Sequence, residues 1–250
     1  MSALRQDGSV QYDDEARPDS VGLGSNGPSA LGLRAARVLN VVVAAIGLIV
    51  LSPVMVLVAL AVKVTSRGPV FYTQTRVGLD TRKRGRSGRP HAANGDGPQR
   101  VNDVGGRLFR IYKFRTMVVD AEAQTSAVWA SKNDPRVTRV GQVLRQYRLD
   151  ELPQLLNVLR GDMNVVGPRP ERPEIFAQLR EVVSDYELRQ QALPGITGHA
   201  QTNQEYDTSI ESVRTKVAYD LEYIKNRGFF EDLKIMIRTI PVVFFRRGGW

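Results

Sequence analysis

From Val38 to Val62 the chain reads VLNVVVAAIGLIVLSPVMVLVALAV, an almost unbroken apolar run. As a helix it would reach about 37 Å, enough to cross the hydrocarbon of a bilayer. It is too long and too far from the N-terminus to be a cleavable signal, and no persuasive cleavage site follows it. Ser52-Pro53 sits near its middle, where proline removes a backbone donor and bends a helix. Arg34 and Arg37 precede the run, and Lys63 and Arg67 follow it. Positive flanks stay in the cytoplasm, and a straight span cannot keep both there. Three readings satisfy the pattern: a re-entrant helix-break-helix hairpin over 34–65, a kinked single span, or a buried core helix.

Elsewhere the pattern is that of a small mixed domain. Residues 1–30 are rich in Ser, Gly, Asp and Pro without apolar periodicity and predict a disordered tail. PVFYTQTRVG from Pro69 and RLFRIYKFRTM from Arg107 are strand-like in their β-branched and aromatic content and predict a hairpin. The segment 79–106 between them is rich in Arg and Gly and reads as a long flexible insert. Its cations Arg82, Lys83, Arg84, Arg86, Arg89 and Arg100 suit either a solvated loop or contact with a polyanion. Helical spacing recurs three times: at Val137, Val140, Leu144 and Tyr147; at Ile210, Val213, Val217, Leu221 and Ile224; and at Phe230, Leu233, Ile237 and Ile240. The second stripe reads as core. The third reads as core too, with a bilayer surface as the alternative. No internal repeat is present.

Composition narrows the chemistry. A net charge of +9 suits a phosphate-bearing partner. The absence of cysteine excludes disulfides and thiolate chemistry, and two histidines, His91 and His199, leave little for a histidine-based metal site or triad. Any catalysis falls to carboxylates, arginines and lysines. Asp150-Glu151 is the candidate: adjacent acids at the start of a helix near Leu149, with Arg145, Arg148 and Lys113-Phe114-Arg115 able to neutralise phosphoryl oxygens. Neighbours on a helix point about 100° apart, so the two acids have different directions and different tasks, one a nucleophile and one a cation ligand. The plainer reading is a pair of first-turn acids favoured by the helix dipole. Pro168-Arg169-Pro170 fixes φ on both sides of an arginine, which suits a guanidinium offered to phosphate or a structural turn equally. Pro194-Gly195-Ile196-Thr197-Gly198 is a turn signature. Asp134-Pro135-Arg136 and Asp120-Ala121-Glu122 read as caps or surface pairs.

Taken together, LSPVMVLVALAVKVTSRGPVFYTQTRVG, FRIYKFRTMVVDAE, NDPRVTRVGQVLR, RLDELPQLLNVLRGDMNVVGPRPE, PGITGHAQ and YDLEYIKN followed by FFEDLKIMIRTI resemble the bacterial sugar transferase family, the monotopic phosphoglycosyl transferases. The matching blocks cover about residues 34–245 in order. The resemblance implies an α+β, mostly helical fold: a membrane-associated monotopic domain with a re-entrant hairpin broken at Ser52-Pro53, a small β-hairpin and amphipathic interfacial helices. Residues 66–250 would be a catalytic domain on the cytoplasmic face of the bacterial inner membrane. It implies Asp150 as nucleophile, Glu151 as its Mg²⁺-associated partner, Arg169 as a contact to nucleotide or phosphate, and Lys113, Arg115, Arg145 and Arg148 as further substrate-binding cations. The implied reaction is ping-pong: Asp150 takes a phosphosugar from a UDP-sugar, releasing UMP, and passes it to polyprenyl phosphate, undecaprenyl by family habit. UDP-glucose or UDP-galactose is the expected donor, anionic inner-leaflet lipid an expected neighbour, and homo-oligomerisation is left open.

Two departures from the family pattern stand out. The insert at 79–106 is longer than the family's short turn, and His199 replaces an expected apolar residue. The additional membrane helices of longer members are absent, which predicts a short form. Rival readings are a catalytically inactive membrane adaptor and a membrane-tethered nucleic-acid binder. The intact acidic pair opposes the first. The second lacks an aromatic-basic recognition face, so nucleic acid is not an expected partner.

Overall fold

The computed structural model describes residues 28–81, 105–119, 121, 134–204 and 209–244. Most of the expected tail and insert lie outside the described residues. The apolar run forms helix α1, Ala30–Thr65, capped by the Ser29 hydroxyl, which accepts from the Gly32 amide. Where the sequence predicts two arms around a break, the structure has one helix that continues through Pro53. The local chemistry explains how it does so. Pro53 has no N–H to give to the Ile49 carbonyl, and the Ser52 hydroxyl donates to that carbonyl instead, at 2.8 Å.

One face of α1 packs at two places. Ala44 lies with Phe109, Ile111, Leu155, Val158 and Met163. Further along, Val58 and Val62 lie with Phe114 and Leu144. Between these places, and along the opposite face, Val38, Val42, Ile46, Ile49, Val50, Val56, Leu57 and Leu60 are exposed. Among the described residues α1 is the helix long and apolar enough to cross a membrane.

Strands β1 (Phe71–Val77) and β2 (Leu108–Phe114) form the expected antiparallel hairpin, with Phe71 opposite Phe114 and Val77 opposite Leu108. Backbone pairing continues past the strands, from Gly78 to Arg107 and from Arg107 to Leu79, so the ends of the 79–106 insert are ordered parts of the hairpin. Helix α2 (Arg139–Gln146) is capped by Thr138, whose hydroxyl accepts from the Gly141 amide at 2.9 Å. A 3-10 segment, Leu149–Gln154, leads into α3 (Leu155–Arg160). The fully buried Asn157 of α3 binds the edge of β2 twice. It accepts from the Tyr112 amide at 3.1 Å and donates to the Arg110 carbonyl at 2.7 Å. This sets the 3-10 segment against the end of the hairpin.

Strand β3 (Asn164–Val166) then pairs in parallel with β4 (Gly195–Thr197). The sequence marks 194–198 as a turn only; its centre is this strand. The approach is close, since a Cβ on Gly195 would lie 2.1 Å from the Gly167 nitrogen. Helix α4 (Pro173–Val182), a second 3-10 segment (Tyr186–Gln191), α5 (His199–Asn203), α6 (Ile210–Asn226) and α7 (Phe229–Phe244) complete the chain. The predicted stripe of α6 buries Val213, Val217 and Ile224, as expected of a core helix. The stripe of α7 is not core. Phe230, Leu233, Ile237 and Ile240 are exposed, while Asp232 and Ile235 on the other face are buried. An apolar periodicity identifies a face to be covered without saying whether protein or lipid covers it.

Asn40, a lone polar residue in the apolar run, is fully buried and ties three elements together. Its side-chain amide donates to Asp232 at 2.6 Å and to the Ala36 carbonyl at 2.7 Å, and its oxygen accepts from the Val166 amide at 3.0 Å. The Tyr223 hydroxyl donates to the other Asp232 oxygen at 2.8 Å. Burial pushes the Asp232 carboxyl up to about 6, against the bonds from Asn40 and Tyr223. Asn40→Ala is therefore expected to destabilise the protein by about 1–3 kcal/mol for each buried partner it strands. Losing a donor raises the folded-state pKa of Asp232 further above its unfolded value. The ionised form then costs more, so the loss of stability is larger at pH 8 than at pH 5. Thermal unfolding of both proteins at the two pH values checks this; an equal or smaller loss at pH 8 contradicts it.

Candidate active site

Asp150 and Glu151 occupy the first turn of the 3-10 segment and are 6% and 5% exposed. The chain reaches them through Arg148, which has φ 54° and ψ 21°. A non-glycine residue in the left-handed region costs on the order of 1–3 kcal/mol, and such strain concentrates at functional sites. Here it ends α2 and redirects the chain so that both acids face the end of β2.

Lys113 of β2 reaches both acids although they diverge along the backbone. Its Nζ lies 2.7 Å from Glu151 Oε1 and 3.9 Å from Asp150 Oδ2. Arg169 donates from Nη2 to Glu151 Oε1 at 2.7 Å and from Nη1 to Oε2 at 3.4 Å. Arg148 Nη1 lies 3.8 Å from Glu151 Oε2. Arg145 donates from Nε to the Thr116 hydroxyl at 3.0 Å, and its charge favours ionisation of Asp150.

The two acids consequently differ. Burial opposes the charge of Glu151, but Arg169 and Lys113 overcome it and hold the carboxyl well below the usual range. Burial dominates at Asp150, aided by the neighbouring Glu151 charge, and pushes its carboxyl up to about 6 despite Lys113. Burial also lowers Lys113, against the two acids. Glu151 is thus an anchored anion, while Asp150 is a carboxylate with one cation at 3.9 Å, ionised at neutral pH and basic for its type.

Four of the expected cations, Lys113, Arg145, Arg148 and Arg169, surround the pair. Arg115 does not join them by any bond. Its guanidinium donates to the Arg67 carbonyl at 2.6 Å and to the Ser66 carbonyl and hydroxyl at 2.8 and 2.6 Å, fixing the exit from α1. Both terminal nitrogens of Arg115 are thus engaged at the exit from α1 rather than at the acidic pair. Asp134 likewise pairs with Arg136, at 2.6 Å, and Glu122 lies outside the described residues. Ser52 and Pro53 are exposed.

No cluster of three metal-ligating side chains occurs among the described residues. Both oxygens of Glu151 already accept from cations, so a dication placed there would meet Lys113 and Arg169. This arrangement does not fit a Mg²⁺ ion held by the protein alone.

Several buried charges behind the site escape a sequence reading. Glu171 is held by Lys216 at 2.9 Å, and Arg76 donates to the Pro170 carbonyl at 3.2 Å. Arg189 and Asp220 form a buried pair at 2.6 Å. The available signal was position: Lys216 and Asp220 fall on the same face of α6 as its apolar stripe.

A long apolar helix, a short hairpin and an acidic pair ringed by cations are thus brought together in one chain. Residues 32–85 and 97–246 match the family model described as bacterial sugar transferase, and the chain belongs to that family. It is 40% identical over 214 residues to an Escherichia coli K12 protein named UDP-glucose:undecaprenyl-phosphate glucose-1-phosphate transferase, covering 84% of this chain and 40% of the relative. A Caulobacter vibrioides protein of the same name is 40% identical, covering 82% of this chain and 68% of the relative. The exopolysaccharide production protein ExoY of Rhizobium meliloti is 36% identical, covering 88% and 90%. The chain thus spans about two fifths of the E. coli relative's length.

Proposed function

We propose that this chain is a phosphoglycosyl transferase that moves a sugar phosphate from a UDP-sugar to polyprenyl phosphate at the inner membrane, as the first membrane step of exopolysaccharide or related glycan synthesis. The observation that carries this reading is the asymmetry of the acidic pair: one carboxylate locked by cations, the other buried, basic and not locked. Asp150 is then the nucleophile. Its oxygen attacks the β-phosphorus of the donor. The bond from that phosphorus to the bridging oxygen breaks, and UMP leaves with the oxygen and the electron pair. The acceptor's phosphate oxygen next attacks the aspartyl phosphosugar, forming the polyprenyl diphosphate sugar and returning Asp150 as a carboxylate. Lys113, Arg145, Arg148 and Arg169 bear the charge of the transferring phosphoryl oxygens. Glu151 keeps Lys113 and Arg169 in place between turnovers. The names of two relatives favour UDP-glucose as donor.

The same reading places α1 as a re-entrant element in the inner leaflet, bending at Ser52-Pro53 without interrupting the helix. Both packing places of α1 contact the one catalytic domain, and both flanks are basic, which suits entry and return on the cytoplasmic side. The exposed faces of α1 and α7 then meet lipid. Magnesium enters with the donor's diphosphate, since no cluster of three metal-ligating side chains occurs among the described residues.

The test is a panel of UDP-sugars, each mixed with detergent-solubilised protein and Mg²⁺. UMP release and an intact-mass increase of one phosphosugar are expected without acceptor, and polyprenyl diphosphate sugar once acceptor is added. Absence of UMP across the panel, with or without acceptor, would point to an inactive adaptor.

A further inference from the structure

The turn Pro168–Glu171 presents Arg169 to Glu151, and its backbone is held by a buried guanidinium that the proposed chemistry does not use. Arg189, in the second 3-10 segment, has a side chain only 4% exposed. Its three nitrogens have three separate partners, one of them in its own segment. Nε donates to Asp220 of α6 at 2.6 Å, Nη1 to the Tyr186 hydroxyl at 2.8 Å, and Nη2 to the Arg169 carbonyl at 3.1 Å. The guanidinium also lies 4.9 Å from the centre of the Tyr186 ring. Asp220 is itself buried, with a side chain 2% exposed.

A planar fork bound at all three nitrogens has little freedom to rotate, so the carbonyl it holds is fixed in space. Pro168 and Pro170 already fix φ on both sides of Arg169. The adjacent carbonyls of Pro170 and Glu171 are bound as well, by Arg76 at 3.2 Å and by the Val77 amide at 2.9 Å. Stability alone is a weak reason for a buried ion pair, because apolar residues of similar volume serve as well or better. Fixing one backbone atom of a site arginine is something apolar residues cannot do.

We propose that the Asp220–Arg189 pair is a positioning device for Arg169: it sets the backbone from which that guanidinium reaches Glu151 and, during turnover, the donor's phosphate. Arg189 touches neither substrate nor the acidic pair; it acts through Arg169. The inference rests on the reading of Arg169 as a phosphate-binding group.

A double-mutant cycle on the full chain separates positioning from plain stability. The readout is the single-turnover rate constant for UMP release with enzyme in excess and saturating, where it does not depend on the fraction of protein folded. Arg189→Lys keeps a charge opposite Asp220 and loses the fork. It is expected to slow release by about tenfold to a hundredfold. In an Arg169→Ala background the same change is expected to alter the rate by less than about twofold, because the group it positions is gone. Tyr186→Phe keeps the packing and removes one hydrogen-bond partner. It is expected to give a smaller loss that also vanishes in the Arg169→Ala background, and it carries the cycle should Arg189→Lys fail to fold. Equal losses in both backgrounds, or a wild-type rate in Arg189→Lys, overturn the proposal. A wild-type protein that releases no UMP refutes the enzymatic reading instead, a different result from an additive cycle in an active enzyme.

Discussion

Asp150→Asn is expected to lower UMP release by about 10⁴-fold or more and to abolish the covalent phosphosugar adduct, because an amide has no oxygen able to form the acyl phosphate. The substitution is nearly isosteric, and Lys113 lies 3.9 Å from Asp150 rather than in a close ion pair with it. Its carboxyl is raised to about 6 chiefly by burial, so the folded protein disfavours its charge. That sign matters for stability: a raised carboxylate pKa means the ionised form opposes folding at neutral pH, and removing it does not weaken the fold there. The variant should therefore unfold at a temperature no lower than wild type at pH 7. The same shift sets the pH dependence. Wild-type release of UMP in the first half-reaction should fall as pH drops through about 6, where the nucleophile takes up a proton. A variant retaining a tenth of the wild-type rate, or a rate indifferent to pH between 5 and 7, removes Asp150 from this role.

Arg169→Ala is expected to cost about 10²–10³ in kcat/KM, the scale of losing one preorganised charge at a transferring group. Glu151 would keep Lys113 at 2.7 Å but lose the cation that contributes most to holding it ionised. Arg169→Lys should recover only a small part of the loss. A point charge can replace one of the two bonds to Glu151, at 2.7 and 3.4 Å, but not the fork that makes both. Steady-state kinetics on the two variants, alongside thermal unfolding, distinguish a lost contact from a lost fold. Activity equal to wild type in Arg169→Ala would reduce the Pro168-Arg169-Pro170 motif to a turn.

Sequence reading succeeded where a feature is local. The apolar run of α1, the hairpin, the stripe of α6 and the adjacency of Asp150 and Glu151 each lie within a short window. It failed where the outcome depends on what a side chain reaches across space. Lys113 and Arg115 are two apart, and strand alternation would aim both at the acids. The strand ends at Phe114, however, and Arg115 is turned onto Ser66 and Arg67. Strands β3 and β4 have three residues each, too few to display a period of two. The stripe of α7 was visible as a face, but its exposure was not, because the same periodicity serves lipid and core alike. Asn40 stood out as a polar letter in an apolar word, yet its partners are 126 and 192 residues away.

The two packing places on α1 have a mechanical consequence. A helix hinged at one end could rock in the lipid independently of its domain. Here Ala44 is gripped beside α3 and Val58 beside β2, so the stretch between them is a beam clamped at both supports. Were α1 to lie in lipid as proposed, a tilt or change of depth imposed on that beam would be passed on to the domain through both supports. Asn40 passes it on to Val166, three residues before Arg169. With α1 in lipid as proposed, the height of the acidic pair above the bilayer would be built into the protein, and the proposed lipid-borne phosphate would meet it at one fixed level.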